Sequence, residues 1–217
     1  MQVERRTFLR IIAVGAGAAL AEAYTLKTWA QAASYVQTSR IILQNFPLFK
    51  QETPYTCGPA SLRMVLAFLG HKLSEREIAK RMGTTPGIGT APWQMHCAYN
   101  KYLKEFRTGL SAKDKIGKQA NNRTIFKSLQ LNRPVIFSWL TENYFKPKTP
   151  VGHYSVVIGA DQNNKEFTIA NPFGSVHTLD CDRFWRLSAW NPKPGDFPDL
   201  NQKPPAIKLP PDLVVLE

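Results

Sequence analysis

Three polar residues in separate parts of the chain have the side chains that nucleophilic catalysis needs. Cys57 stands in the run QETPYTCGPAS at 51–61, His153 stands in GHYSVVIG at 152–159, and Asn171 directly precedes Pro172. A thiol can attack a carbonyl carbon while an imidazole takes up the thiol proton and returns it to the leaving group. A side-chain amide can orient that imidazole ring. Together these residues predict a cysteine-dependent acyl-transfer site.

The environment expected for Cys57 favours a reactive thiol. Apolar residues recur with helical period over 57–69, so Cys57 begins a helix whose dipole and unpaired amides lower a thiol pKa. Gly58 allows a substrate backbone to approach, and Pro59 suits the first helical turn. Gln51 precedes Cys57 by six residues, and its side-chain amide can donate to a developing oxyanion together with the Cys57 amide. Taken alone, Cys57 is equally well an ordinary buried cysteine.

The predicted elements explain how these residues come together. Residues 153–160 and 166–170 read as strands, joined by a turn-rich connection at 161–165 into a hairpin that places Asn171 beside His153. Ser74 and Glu77 form a capping box for a helix that Gly83 ends. Further helices are predicted over 93–106 and 124–131, and strands over 41–43, 134–140 and 175–179. Helices first and strands later indicate an α+β domain with a mostly antiparallel sheet.

The order of these residues resembles the C39-like cysteine peptidases, a branch of the papain-like superfamily. The resemblance covers roughly residues 46–184 and rests on Gln51, the Cys57-Gly58-Pro59-Ala60 run, the Gly152-His153-Tyr154 run and the Asn171-Pro172-Phe173-Gly174 corner. It implies a papain-like fold, with Cys57 as nucleophile, His153 as general base and acid, Asn171 as orienting residue and Gln51 as oxyanion donor. The family usually has Asp where this chain has Asn171, so an imidazolium here has no negative partner.

Three functions follow from this resemblance and stay open at the sequence level. The first is a thiol hydrolase that cleaves a peptide or other amide bond through a thioester. The second is a γ-glutamyl or other acyl transferase on the same triad, as in phytochelatin-synthase-like proteins, and the third is a non-catalytic peptide-binding module. We expect no cofactor and no bound metal. His96 and Cys97 with His177 and Cys181 make a loose metal pattern, and Cys97 with Cys181 is an alternative disulfide.

The first residues have the order of an export signal. Arg5-Arg6-Thr7-Phe8-Leu9-Arg10 resembles the twin-arginine pattern, and an apolar stretch at 11–20 precedes small-residue cleavage sites. We therefore divide the chain into a twin-arginine-type signal peptide (1–32), a linker or short pro-segment (33–45), a C39-like papain-fold domain (46–190) and a Pro-rich tail (191–217). The expected location is periplasmic or extracellular. The expected partners are a peptide or amide substrate and the twin-arginine export machinery, with membrane contact only in transit or through an uncleaved signal.

Composition excludes several other classes. The 217 residues are 43% hydrophobic and 20% charged, which is a globular composition and not that of a disordered or coiled-coil chain. The formal net charge is +12, but the positive residues are scattered along the sequence. Charge without a basic helix or a zinc-finger spacing specifies no nucleic-acid partner, and we expect none.

Overall fold

The part of the chain that the computed structural model describes, residues 39–142, 150–189 and 211–217, contains five α-helices and seven β-strands. The helices are α1 (Cys57–Phe68), α2 (Glu75–Met82), α3 (Pro92–Glu105), α4 (Asn122–Gln130) and α5 (Cys181–Ser188). The expected signal peptide (1–32), the linker residues 33–38 and residues 190–210 lie outside the described residues.

The predicted helices are confirmed, with small shifts at their ends. The helix α2 has both expected caps: the Ser74 hydroxyl accepts a hydrogen bond from the Glu77 amide at 3.2 Å, and Gly83 closes the helix with φ of 71°. The left-handed conformation at Gly83 is one that glycine adopts without a steric cost. The helix α5 was not predicted, although Asp180 caps it by accepting a hydrogen bond from the Arg183 amide.

All seven strands join one sheet, and every pairing is antiparallel. They are β1 (Arg40–Ile42), β2 (Ala112–Ile116), β3 (Val135–Glu142), β4 (Pro150–Asp161), β5 (Glu166–Asn171), β6 (Ser175–Asp180) and β7 (Asp212–Leu216). The order across the sheet is β2-β7-β3-β4-β5-β6, and β1 pairs with the end of β4. The α+β class and the antiparallel sheet are therefore as predicted.

The end of the Pro-rich tail differs from the expectation. No strand was predicted in the Pro-rich tail (191–217), but β7 lies inside the sheet between β2 and β3. Its Val214 pairs with Ile136 of β3 and with Asp114 of β2. The residues Leu213, Val214, Val215 and Leu216 are all buried. Burial of these four apolar side chains stabilises the position of β7 in the sheet.

The core lies between the helices and the sheet, and it fixes the position of α1. The side chains of Leu62, Met64, Val65 and Leu66 are fully buried. Each such side chain contributes about 1.5–3 kcal/mol relative to full exposure. The helix α1 packs against β4, and its first residue, Cys57, contacts Tyr154 of that strand. Within the described ranges, no helix has the length and apolar character needed to cross a membrane.

Candidate active site

The β4–β5 hairpin brings His153 and Asn171 into direct contact. The two strands pair with Val156 opposite Ala170, which leaves Asn171 next to the β4 residues that follow His153. The Nε2 atom of His153 lies 2.9 Å from Oδ1 of Asn171, and both side chains are buried. The predicted contact is confirmed, with one difference: β4 begins at Pro150, so the ring of His153 is buried instead of exposed at a strand end.

The orientation of the Asn171 amide determines which nitrogen of His153 carries the proton. The backbone N–H of Phe173 donates to Oδ1 of Asn171 at 2.9 Å, which identifies that atom as the oxygen. A carbonyl oxygen only accepts hydrogen bonds, so Nε2 of His153 must be the donor in the 2.9 Å contact. The neutral ring then has its lone pair on Nδ1, and that nitrogen is the one available as a base.

Burial keeps the imidazole neutral. It lowers the pKa of His153 from 6.5 to about 4; the hydrogen bond that the ring donates to Asn171 opposes this shift, and the charge of His177 adds to it. At neutral pH the ring therefore holds a single proton. A neutral imidazole is the form that can accept a proton from a thiol.

Aromatic side chains cover the ring of His153. The Phe173 ring centroid lies 4.1 Å from that of His153, and the Trp139 centroid lies 6.3 Å away. The indole N–H of Trp139 donates to the Ser155 hydroxyl at 3.1 Å, so this side chain is held in place on the sheet. These contacts limit water around the His153–Asn171 hydrogen bond and strengthen it through the low local dielectric.

Cys57 is the first residue of α1, as predicted, and its thiol is buried. Burial raises the pKa of the Cys57 thiol, and the backbone amides of Tyr154, Gly58 and Cys57 itself oppose that rise. The expected lowering by the helix N-terminus is therefore wrong for the resting protein, because loss of solvation outweighs the amides. The Tyr154 contact nevertheless places the sulfur against the residue that follows His153. Among the described residues, no hydrogen bond links the thiol to the His153 ring itself.

The sequence led us to expect that a substrate backbone could approach Gly58. This expectation is wrong, because side chains of the protein itself fill the space beside Gly58. A Cβ atom at Gly58 would lie 2.7 Å from Oγ1 and 2.8 Å from Cβ of Thr90. Thr90 is buried, and its hydroxyl shares a 2.8 Å hydrogen bond with that of Thr84. Glycine is therefore required beside the nucleophile because the 84–91 loop packs against it. Sequence patterns did not indicate this contact, since it joins the first turn of α1 to a loop that is distant in the chain.

Gln51 is buried close to the other site residues. Its backbone N–H donates to the carbonyl of Pro172 at 2.7 Å, so it lies against the corner that begins with Asn171. Its Nε2 atom donates to the Thr53 carbonyl at 2.7 Å, which uses one of the two amide protons. The other N–H is not used by that bond. The structure thus brings Gln51 to the same corner as Asn171.

The other cysteines are not joined. Cys57, Cys97 and Cys181 all have free thiols; Cys97 is exposed and Cys181 is buried. The alternative disulfide between Cys97 and Cys181 is therefore not formed. In the described ranges, no group of three or more His, Cys, Asp or Glu side chains is placed to bind a metal ion.

Comparison with known proteins agrees with this geometry. A model of the Peptidase_C39 like family matches residues 43–192, which is more than half of the chain. A solved structure described as a C39-like peptidase from Bacillus anthracis is 16% identical with a TM-score of 0.50, and the match covers 82% of this chain and 98% of that one. Xylellain, a cysteine protease from Xylella fastidiosa, is 12% identical with a TM-score of 0.52, covering 82% and 85%. No curated protein matches the chain significantly.

The fold is that of the papain-like cysteine peptidases, and the chain belongs to the Peptidase_C39 like family. The match at 43–192 includes Gln51, Cys57, His153 and Asn171. At these low identities the solved structures show the fold alone, so the roles of the four residues are argued from their geometry.

Proposed function

We propose that this chain is an exported thiol hydrolase that cleaves a peptide or other amide bond, with Cys57 as the nucleophile. The observation that carries the proposal is the Phe173–Asn171–His153 chain of hydrogen bonds. It fixes the proton on Nε2 of His153 and leaves Nδ1 as a base. The next residue on the same strand, Tyr154, contacts the Cys57 sulfur through its backbone amide. A buried hydrogen-bonded histidine without a nearby nucleophile would not support this function.

The reaction follows from these positions. The Cys57 sulfur attacks the carbonyl carbon of the substrate while Nδ1 of His153 accepts the thiol proton. His153 then returns that proton to the leaving amine as the C–N bond breaks, and a thioester forms on Cys57. Water attacks the thioester with His153 again acting as base, which releases the acid and restores the thiol.

The resting protonation state affects how the first step proceeds. Burial raises the pKa of Cys57 and lowers that of His153 to about 4, so both groups are neutral before substrate binds. The proton therefore moves during attack, in general-base catalysis, and not in a preformed thiolate–imidazolium pair. Asn171 then stabilises the imidazolium by its amide dipole alone, because it has no charge.

The negative oxygen of the tetrahedral intermediate needs donors. The backbone N–H of Cys57 lies at the N-terminus of α1, where the helix dipole favours negative charge. Gln51 supplies the second donor through the amide proton that Thr53 does not engage. Loss of one such donor typically lowers kcat about 100-fold or more.

Turnover of an unbiased peptide mixture tests the proposal. The purified full chain is incubated with a library of internally quenched peptides, and the products are identified by mass spectrometry. We expect cleavage by the wild type and by Cys97→Ala, which removes an exposed thiol, but not by Cys57→Ala. Cleavage by Cys57→Ala would disprove the nucleophile. Glycinamide added as an amine acceptor separates the outcomes further: mainly amide products would identify a transferase instead of a hydrolase.

We also propose that the chain is exported. Support comes from the sequence alone, namely the Arg5-Arg6 pair followed by Phe8 and Leu9 and by the apolar stretch at 11–20. The test is fractionation of bacteria that express the full chain with and without Arg5→Lys and Arg6→Lys together. Export that requires the arginine pair supports the twin-arginine route, whereas equal export of both forms contradicts it.

A further inference from the structure

Glu75 is a carboxylate on the buried face of a helix. It is the first residue of α2 and shares the inward face with Ile78 and Met82; its exposed fraction is 1%. A buried carboxylate is costly unless hydrogen bonds compensate for the lost water. The spacing of Glu75 with Ile78 and Met82 is the one sequence signal of its burial.

The partner of Glu75 lies in the segment that leads to the nucleophile. Oε1 of Glu75 accepts a hydrogen bond from the backbone N–H of Glu52 at 2.8 Å. Glu52 is 23 residues earlier in the chain and follows Gln51 directly. The other carboxylate oxygen, Oε2, is buried and has no hydrogen-bond partner among the described residues. Glu75 thus holds the backbone beside Gln51.

The segment 51–56 is held by several contacts, among them an ion pair of Glu52 with Arg63 of α1 at 3.6 Å and a hydrogen bond from the Ala60 N–H to the Thr56 carbonyl at 2.9 Å. Its internal bonds join Gln51 Nε2 to the Thr53 carbonyl at 2.7 Å and the Thr53 N–H to the Thr56 hydroxyl at 3.1 Å. At one end, the Gln51 N–H donates to Pro172 at 2.7 Å. The Glu75 carboxylate adds the anchor from α2, on the backbone N–H of Glu52. Since Thr56 directly precedes Cys57, a shift of this segment moves both Gln51 and Cys57.

The charge of Glu75 does not favour a reactive thiol. Burial is the main reason that the pKa of Cys57 is raised, and the negative charge of Glu75 adds to that rise. Burial also raises the pKa of Glu75 itself, against the opposing effects of the Thr56 hydroxyl and the Glu52 amide. The negative charge of Glu75 makes the Cys57 thiol harder to ionise, so electrostatics does not explain why a carboxylate is present here. Its hydrogen bond to the Glu52 amide does.

We propose that Glu75 is a positioning residue, whose carboxylate binds the Glu52 amide and thereby holds Gln51 and Cys57 in the arrangement needed for attack. The inference rests on the proposed function of those two residues. Glu75 does not touch the reacting atoms, so its loss affects kcat through the 51–56 segment. A misplacement of about 1 Å in a catalytic group can lower the rate about 100-fold.

Two substitutions separate position from charge. Glu75→Asp keeps the charge but shortens the side chain by one methylene, so it no longer reaches the Glu52 amide. Glu75→Gln removes the charge but keeps the reach and an acceptor oxygen. The matched controls are Glu77→Asp and Glu77→Gln, since Glu77 is exposed in the same helical turn. Thermal melts establish that each variant is folded before any rate is compared.

The turnover measurement uses the peptides that the wild type cleaves. We expect Glu75→Asp to lower kcat about 10-fold or more with little change in KM, and Glu75→Gln to stay within about 3-fold of the wild type. Both Glu77 variants should match the wild type. Equal kcat in folded Glu75→Asp and Glu77→Asp would overturn the proposal.

A second measurement does not depend on turnover. Iodoacetamide labelling of Cys57 is followed against pH, with the Cys57 peptide resolved by mass spectrometry from those of Cys97 and Cys181. We expect the limiting rate at high pH to rise at least about 5-fold in Glu75→Asp, because the freed segment exposes the thiol. In Glu75→Gln the limiting rate should stay constant while the midpoint moves to lower pH.

The two measurements distinguish the failure of each claim. If the wild type cleaves no peptide, the proposed function fails, and the labelling rates alone decide the role of Glu75. If the limiting rate of Cys57 is the same in wild type, Glu75→Asp and Glu75→Gln, Glu75 does not hold the segment and the inference is overturned.

Discussion

Oδ1 of Asn171 accepts hydrogen bonds from two donors, Nε2 of His153 at 2.9 Å and the backbone N–H of Phe173 at 2.9 Å. The Phe173 amide fixes which end of the Asn171 side chain is the oxygen. That oxygen in turn fixes the proton on Nε2 of His153, so the basic nitrogen is Nδ1. A neutral asparagine thus fixes the tautomer of the His153 ring without adding a charge.

The first prediction concerns that missing charge. In Asn171→Asp, the oxygen still accepts from both donors, but a carboxylate beside the ring favours the imidazolium and raises the pKa of His153 above about 4. The acid limb of kcat/KM should therefore move to higher pH by about one unit or more. The measurement is the pH profile of kcat/KM for wild type and variant.

Asn171→Ala is the matched control for this prediction. It removes the acceptor without adding charge, so kcat should fall about 10- to 100-fold while the melting temperature changes by only a few degrees. Superimposable acid limbs for wild type and Asn171→Asp would show that residue 171 does not control the protonation of His153.

The second prediction concerns stability at acidic pH. The pKa of His153 is about 4 in the folded chain and about 6.5 when unfolded, so the unfolded state binds more protons between these values. Stability should fall as the pH decreases from about 6.5 to 4, and His153→Gln should remove that part of the slope. Denaturant unfolding at several pH values measures it. Parallel curves for wild type and variant across this window would contradict the burial of a neutral imidazole.

The third prediction concerns the contact beside the nucleophile. Gly58→Ala places a methyl group 2.7 Å from Oγ1 of Thr90, which costs about 1–3 kcal/mol of unfolding free energy. A Thr90→Gly background removes the three atoms that lie nearest to the added methyl, so Gly58→Ala should cost much less there. A double-mutant cycle by urea unfolding provides the comparison. Additive effects of the two substitutions would mean that Thr90 is not what requires glycine at 58.

The fourth prediction concerns the strand at the end of the Pro-rich tail. Val214 is 3% exposed in β7, so Val214→Asp buries an unpaired charge and should cost about 3–5 kcal/mol. The control is Val176→Asp in the edge strand β6, where the side chain is 51% exposed and the cost should stay below about 1 kcal/mol. Equal stability of the two variants would show that β7 is not part of the folded sheet.

The sequence was informative wherever the signal was local. Helical period and caps predicted α1 and α2 closely, because the Ser74 cap and the Gly83 terminus act within one turn. The β4–β5 hairpin was predictable from two apolar runs and a turn-rich connection, and it carried the contact between His153 and Asn171 with it. Residues close in the sequence could therefore be placed without a structure.

Features that depend on distant contacts were missed. The strand β7 pairs with residues about 80 and 100 positions earlier, and seven prolines in the tail masked its short apolar run. The pKa of Cys57 depends on the depth of its burial, which local sequence does not report. The contact of Thr90 with Gly58 and the hydrogen bond between Glu75 and Glu52 were also missed. Each joins two segments that are distant in the sequence and share no sequence motif.

The most direct test of the account is the site of acylation. The full chain is mixed with p-nitrophenyl acetate, quenched in acid after short times, and the acetylated residue is located by mass spectrometry. The account predicts a thioester on Cys57 that forms about 100-fold more slowly in His153→Gln, because the base has been removed. Acetylation of Cys57 at equal rates in wild type and His153→Gln, or acetylation confined to Cys97, would contradict it.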